Sequence, residues 1–172
     1  LCLGGWYQQL HRCPCGYRTD PRRSCNCTPP QVEKYMSKIS GPLLDRIDIH
    51  LDIPAVPFHE LSNRTAEGTS SDCMRKEVIT AREQQSERFK RNSNMYNAQM
   101  SSRQIRTHCQ IDSTCTQMLR HCVEEMGLSA RAHDKILRVA RTIADLDARE
   151  NIQQQDLAEA IGYRSLDLDL WT

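Results

Sequence analysis

Four cysteines near the N-terminus are the residues whose spacing most directly predicts chemistry. The sequence reads Cys13-Pro-Cys15, then nine intervening residues, then Cys25-Asn-Cys27. Two close thiol pairs joined by a short polar loop can place four thiolates tetrahedrally around Zn²⁺. Only one residue lies inside each pair, so the turns must be tight, and Gly16 can supply the positive φ that such a turn needs. The pattern favours a zinc site, with two disulfides or a metal-free cysteine loop as the alternatives.

The loop between the two cysteine pairs is basic. Arg18, Arg22 and Arg23 are opposed there only by Asp20. A patch of this kind can contact a nucleic-acid backbone, because each neutralised phosphate releases a counterion. The alternative is an ordinary solvated loop.

Arg46 lies where a Gly-Pro break meets a predicted strand. The apolar residues that follow alternate with period two, at Ile47, Ile49, Leu51 and Ile53. This alternation predicts a half-buried strand, ended by Pro54, with the opposite face formed by Asp48, His50 and Asp52. A guanidinium held at such a boundary is suited to phosphate, because its planar fork stays charged and can bond two oxygens at once. A surface ion pair between Asp45 and Arg46 is the alternative.

Arg131 falls in the first turn of a helix that Ser129 is expected to open. A cation is poorly placed at the positive end of the helix dipole. We therefore expect another group to hold Arg131, or its side chain to point into water.

The remaining patterns predict the elements that position these residues. Helices are expected over residues 28–39, over about 72–90, from Ser101 or Ser102, from Asp112 to a stop at Gly127, from Ser129, and over about 153–161. The helix over 72–90 should bury one modest stripe, formed by Met74, Val78, Ile79, Ala81 and Phe89. The second half of the chain should therefore be a small helical bundle.

Composition limits the classes of protein that remain. At 172 residues the chain can bury one core, or a small core with an appendage, and 23 basic against 22 acidic residues give no overall attraction for nucleic acid. Nine cysteines, several scattered along predicted helices, do not suit a secreted disulfide scaffold. No apolar run approaches the roughly 20 residues of a membrane span, and the first residues do not read as a signal peptide, so we expect a cytoplasmic protein without a membrane partner.

Three motifs in order carry a family resemblance. The run Gly-Pro-Leu-Leu-Asp-Arg-Ile-Asp-Ile-His around Arg46 resembles the arginine-finger segment of magnesium-chelatase-type AAA+ ATPases. Cys-Pro-Cys-Gly-Tyr lies upstream of it and Leu-Ser-Ala-Arg-Ala downstream, so the resemblance covers roughly residues 13–164. It implies the C-terminal half of a bacterial member, with an α+β, mostly α fold: the end of an AAA+ core with a four-cysteine insertion, followed by a helical lid bundle.

The resemblance also implies roles for single residues. Arg46 would be the arginine finger given to a neighbouring subunit, and Arg131 would be sensor 2, reaching the nucleotide from the lid. Family members carry the sensor 1 asparagine just before Cys-Pro-Cys, where this sequence has Leu10, His11 and Arg12. This sequence therefore departs from the family's sensor 1 motif.

The function implied by the resemblance is that of an ATP-driven, hexameric DNA helicase or branch-migration motor, acting in natural transformation (competence) and recombination. Its cofactors would be ATP with Mg²⁺ in the full-length protein, besides Zn²⁺. This sequence contains no Gly-x-x-x-x-Gly-Lys-Ser/Thr phosphate loop and no strand ending in an acidic pair for Mg²⁺. The chain alone is thus expected to hydrolyse no ATP.

The expected organisation is a divergent or non-native leader over 1–12, the end of the AAA+ core over 13–60, a connector and long helix over 61–100, the lid over 101–164 and a tail over 165–172.

Three other functions remain open. These are a non-enzymatic zinc-containing nucleic-acid-binding module, a helical protein-interaction domain without metal or nucleotide, and a magnesium chelatase subunit.

Overall fold

The structure is a computed structural model, and it describes residues 11–18, 20, 22–38, 40–44, 46–51, 53, 56, 68–90, 92 and 94–164. These residues form a mostly helical protein. Its elements are α1 Pro29–Met36, α2 Gly41–Leu44, α3 Ser71–Arg88, a 3₁₀ turn Asn97–Gln99, α4 Ser102–His108, α5 Ser113–Met126, α6 Ala130–Leu146 and α7 Gln154–Gly162. The chain divides into two compact units, one of Leu1–Leu44 with Asp52–Asn63 and one of Asp45–Leu51 with Arg64–Thr172.

Most helix starts follow from a capping side chain, as the sequence predicts. Ser101 caps α4, and the side chains of Asp112 and Ser129 accept the amides of Cys115 and Ala132 at 2.7 and 3.1 Å. Thr28 opens α1 in a capping box with Gln31, whose side chain accepts the Thr28 amide at 3.0 Å. These contacts satisfy amide groups that the first turn of a helix leaves without a partner.

Gly127 ends α5 in the left-handed conformation, with φ of 57°. Only glycine adopts this conformation without a steric penalty from Cβ. The predicted stop between α5 and α6 is confirmed.

The core of the larger unit is built around α6. This helix packs against α3, α4, α7 and the 3₁₀ turn, while α5 packs against α7. The most deeply buried side chains of its apolar cluster are those of Met100, Ile105, Cys115, Leu119, Ile136, Ala140, Ala144, Leu157 and Ala160. Burying each large aliphatic side chain contributes about 1.5–3 kcal/mol, so packing around α6 is the main stabilising term of this unit.

A buried polar network crosses the same core. Asp145 is fully buried and accepts two hydrogen bonds from Arg88, at 2.7 and 2.5 Å. Arg141 donates to the same carboxylate at 3.1 Å, and Asn97 donates to it at 2.8 Å. Because both carboxylate oxygens accept hydrogen bonds and two guanidiniums lie beside them, the core tolerates a carboxylate without access to water.

The structure corrects the prediction of a half-buried strand after Arg46. Residues 46–51 and 53 have turn or irregular backbone, and no strand is assigned in the described part of the chain. Leu51 and Ile53 are 63% and 72% exposed, whereas His50, predicted for the polar face, is buried. An alternating segment is half-buried only when neighbouring strands and a packed layer cover its apolar face, and the described residues provide neither. Asp52 and Pro54 lie outside the described residues.

The predicted stripe on the long helix also needs correction. Ala81 and Phe89 are buried, but Met74, Val78 and Ile79 are each about half exposed. All ten residues of the first part of α3, 71–80, are exposed. The helix itself is confirmed, but only its C-terminal half packs on the core.

Candidate metal centre and predicted arginine sites

The four cysteines predicted as metal ligands lie together. Their sulfur atoms are all within 4.8 Å of one another, and Cys13 lies 3.3 Å from Cys15 and 3.7 Å from Cys25. A tetrahedral Zn²⁺ with Zn–S bonds of about 2.3 Å requires sulfur separations of about 3.8 Å. A disulfide requires about 2.05 Å, and these four cysteines are free thiols. The geometry fits a soft, tetrahedrally bound metal ion such as zinc better than it fits two disulfides.

Two local features hold the cysteines in place. Gly16 has φ of 81°, as predicted, and its amide donates to the Cys13 carbonyl at 3.1 Å, which closes the turn around the first pair. Directly after Cys27, Thr28 caps α1 and fixes the direction in which the chain leaves the second pair. A turn and a helix start thus position the four thiols from both ends.

The thiols influence one another's protonation. Burial raises the pKa of Cys13, but hydrogen bonds from Cys15 and Cys25 and from the backbone lower it to about 6. The pKa of Cys27 is lowered by a backbone hydrogen bond to Cys15, yet its contacts with the neighbouring sulfurs and burial raise it to about 12. The Cys13 thiolate is therefore favoured, while the pKa values of Cys25 and Cys27 are raised, since several bare negative charges cannot share so small a volume. A bound divalent cation removes that conflict, because its positive charge stabilises the thiolates. Coordination to such an ion deprotonates thiols outright.

The three loop arginines are exposed, as a nucleic-acid contact requires. Arg23 donates to the Tyr17 hydroxyl at 2.7 Å and lies 5.0 Å from the centre of that ring. Arg22 donates to the Val56 carbonyl at 3.3 Å. Tyr17 was missed by sequence reasoning, although a tyrosine beside a basic loop could have indicated cation–π stacking. The contacts of Arg22 and Arg23 hold the loop in one shape.

Arg46 occupies an exposed turn at the start of a short segment, residues 46–51, that belongs to the helical unit. Lys135 on α6 lies 2.8 Å from the carboxylate of Asp48, and the amide of His50 donates to the Tyr163 carbonyl at 2.7 Å. Sequence reasoning missed these partners, because they lie far along the chain. The predicted alternative partner of Arg46, Asp45, lies outside the described residues.

Arg131 is exposed in the first turn of α6, immediately after the Ser129 cap. On the same helix Arg138 donates to the Met100 carbonyl at 2.7 Å, and Arg141 is part of the buried network. The partner of Arg141, Asp145, lies four residues later on the same helix. His11, at the place expected for sensor 1, is exposed.

The helical unit also contains a polar cavity of about 470 Å³, lined in part by Arg88, His108 and Arg141. The guanidiniums of Arg88 and Arg141 are already bonded to Asp145, so they act in the core rather than on a ligand. Among the described helices, none is both long enough and apolar enough to cross a membrane.

Comparison with known protein families matches both parts of the chain. A family described as magnesium chelatase, subunit ChlI C-terminal, matches residues 68–164. A family described as magnesium chelatase, subunit ChlI, matches residues 8–61. Together the two matches include the four cysteines, Arg46 and Arg131.

Individual relatives agree with these matches. The uncharacterized protein YifB of Escherichia coli (strain K12) is 43% identical over 141 residues, which is 82% of this chain and 27% of that protein. The competence protein ComM of Haemophilus influenzae is 37% identical over 139 residues, or 81% of this chain and 26% of ComM. The uncharacterized protein Mb2921c of Mycobacterium bovis is 32% identical over 152 residues, which is 88% of this chain and 29% of that protein.

The chain thus spans about a quarter of the length of these relatives, a smaller share than the half that the sequence motifs imply. The C-terminal family model alone covers more than half of the 172 residues. The chain therefore belongs to the magnesium chelatase subunit ChlI family and carries its C-terminal region.

Proposed function

We propose that this chain is the C-terminal part of a magnesium-chelatase-like AAA+ ATPase that works as a homo-oligomeric, hexameric ring. The observation that carries the proposal is the family match across both parts of the chain, with Arg46 exposed inside the motif that resembles an arginine-finger segment. Residues 13–60 would complete the ATPase core and residues 101–164 would form its lid. The phosphate loop that binds ATP and Mg²⁺ would belong to the longer protein.

In this proposal the two exposed arginines act on transferring phosphoryl groups. Arg46 would enter the nucleotide site of the neighbouring subunit and stabilise the negative charge that spreads over the γ-phosphoryl oxygens in the transition state. Arg131 would contact nucleotide from the lid as sensor 2. A finger supplied by a neighbour can raise the rate by about 10³ to 10⁵. The chain alone would then hydrolyse no ATP.

The test is to replace Arg46 by alanine in the full-length protein. We expect kcat for ATP hydrolysis to fall by about 10³ or more, with ATP binding largely retained. Arg75→Ala is the matched control, because Arg75 is an exposed arginine paired with Asp72 on the surface of α3. Unchanged turnover in Arg46→Ala, or steady ATP hydrolysis by the 172-residue chain alone, would contradict the proposal.

We further propose that the substrate is DNA, moved by a helicase or branch-migration motor in natural transformation and recombination. Support comes from the relative named as a competence protein and from the exposed basic loop that the cysteine site and Tyr17 hold in place. Arg18, Arg22 and Arg23 would contact backbone phosphates, and Zn²⁺ bound by Cys13, Cys15, Cys25 and Cys27 would fix the loop. Neither role requires a sequence-specific base contact.

The DNA proposal predicts a change in salt dependence. Replacing Arg18, Arg22 and Arg23 by alanine in the full-length protein should lower duplex affinity and reduce the slope of log K against log salt by about 0.9 for each lost phosphate contact. The exposed Arg120 on α5 supplies the matched control. Filter binding at several salt concentrations measures the slope.

Two outcomes would favour other functions. DNA binding by a full-length protein without ATPase activity would favour the zinc-containing nucleic-acid-binding module, and metal insertion into a porphyrin would favour the chelatase.

A further inference from the structure

Residues 46–51 are fastened to the helix that carries Arg131. We propose that Lys135 and Arg164 are positioning residues that hold the Arg46 segment rigidly on α6 and the end of α7, so that the finger and the sensor move as one body. This inference rests on the proposed function of Arg46 and Arg131. It adds a mechanical coupling between them.

The first contact is an ion pair. The ammonium of Lys135 lies 2.8 Å from a carboxylate oxygen of Asp48, two residues after Arg46. The Lys135 side chain is only 13% exposed, whereas that of Asp48 is 57% exposed. A lysine is rarely this buried unless its charge is paired, so the carboxylate is drawn to a fixed point on α6.

The second contact holds the backbone between Arg46 and Asp48. The guanidinium of Arg164, 1% exposed, donates a charge-assisted hydrogen bond to the carbonyl of Ile47. The amide of His50 donates to the Tyr163 carbonyl at 2.7 Å, and His50 is itself buried. Backbone atoms before and after Asp48 are therefore tied to the residues that follow α7.

The position of Lys135 on α6 connects these contacts to Arg131. Lys135 lies four residues after Arg131, so both side chains lie on one face of the helix, a turn apart. The helix is also buried in the core at Ile136 and Ala140. A displacement of α6 that accompanies nucleotide contact at Arg131 would therefore be transmitted to Arg46 without a flexible joint between them.

Rigid placement matters because a finger acts only when its guanidinium meets the transition state. A misplacement of about 1 Å can cost about 10²-fold in rate. The contacts at Ile47 and Asp48 restrict the segment one and two residues after Arg46. Arg46 itself stays exposed. A purely stabilising pair would instead change the unfolding midpoint and leave the kinetics of folded protein unchanged.

The experiment compares Asp48→Asn, Lys135→Met and Arg46→Ala in the full-length protein. We expect the first two to lower kcat for ATP hydrolysis by about 10- to 100-fold, with KM for ATP changed by less than about twofold, because only transition-state contact is weakened. Lys135→Arg should retain most of the activity, and the charge swap of Asp48→Lys with Lys135→Asp should recover part of it. Asp72→Asn, which breaks an exposed pair with Arg75, is the control and should have no effect.

A mixing experiment separates positioning from general stability. Lys135→Met subunits keep their own nucleotide site, so they should regain turnover in rings mixed with subunits whose phosphate-loop lysine is replaced but whose finger is intact. Loss of rate without such recovery would overturn the coupling. Asp48→Asn changes an exposed side chain, so it tests the same coupling if Lys135→Met fails to fold.

The two proposals fail in different ways. If Arg46→Ala lowers kcat but Asp48→Asn and Lys135→Met do not, the coupling is wrong and the finger assignment stands. If Arg46→Ala itself leaves kcat unchanged, the proposed function is wrong.

Discussion

Asp145 shows how single residues decide whether a charge can sit inside this small bundle. Its carboxylate receives hydrogen bonds from Arg88, Arg141 and Asn97 and has no exposure to water. Arg141, four residues earlier on the same helix, is the partner that the sequence indicates. Arg88 is 57 residues away in sequence, and no local spacing indicates it.

At the residue scale we predict that Asp145→Asn destabilises the chain by about 3–5 kcal/mol, because it leaves two guanidiniums buried without their counter-charge. Urea unfolding followed by circular dichroism measures the difference. Asp147→Asn is the matched control: its side chain is 56% exposed, and its pair with Arg149 should be worth less than about 1 kcal/mol. Equal losses in the two variants would show that burial of the carboxylate does not decide the effect.

At the scale of elements, residues near each helix end determine where the helix begins or ends. They do not determine which face of the helix is buried. Ser129 caps α6 and Gly127 ends α5, and both follow from residues within one turn of the helix end. The apolar face of α3 does not follow in this way. Met74 and Val78 are exposed although their spacing is that of a buried stripe, because no partner surface in the described residues covers that part of α3.

The element-scale prediction concerns the turn between α5 and α6. Gly127→Ala should destabilise the chain by about 1–2 kcal/mol, because a Cβ is strained at φ of 57° although the space around it is open. Gly162→Ala, at the end of α7 with equally open surroundings and no positive φ, should be neutral or stabilising by up to about 1 kcal/mol. Thermal unfolding of both variants checks the pair. A comparable loss in Gly162→Ala would mean that the positive φ of Gly127 does not cause the effect.

At the scale of the whole molecule, two compact units have different sources of stability. The helical unit has an apolar core and a buried network of hydrogen bonds and ion pairs around Asp145. In the other unit the buried apolar side chains of the described residues are those of Cys13 and Val32. So small a core usually needs a metal or a cross-link to fold firmly.

We therefore predict that the purified chain binds one zinc ion and that a strong chelator loosens the cysteine unit. Amide hydrogen exchange should rise over residues 11–36 after chelation, while the exchange of α6 stays slow, because its protection comes from its own core. Cys25→Ser should lower the zinc content, and the exposed Cys73→Ser should not. Zinc-free protein as purified from zinc-rich medium, or loss of α6 protection on chelation, would contradict the prediction.

The sequence by itself determined what depends on neighbours along the chain. The helix starts at Ser101, Asp112 and Ser129 and the stop at Gly127 were readable, because a cap is made by residues within a few positions of one another. The cysteine spacing likewise indicated four thiols that can meet, and the motifs indicated the family.

Only the tertiary structure decided which surfaces meet. It left Leu51 exposed and His50 buried, joined Arg88 to Asp145, and placed Lys135 against Asp48. Burial and ion pairing across long separations depend on the packing of the whole unit, and the period of a short segment does not encode that packing. This is why the motif could predict a role for Arg46, while the contact between Lys135 and Asp48 beside it was found only from the fold.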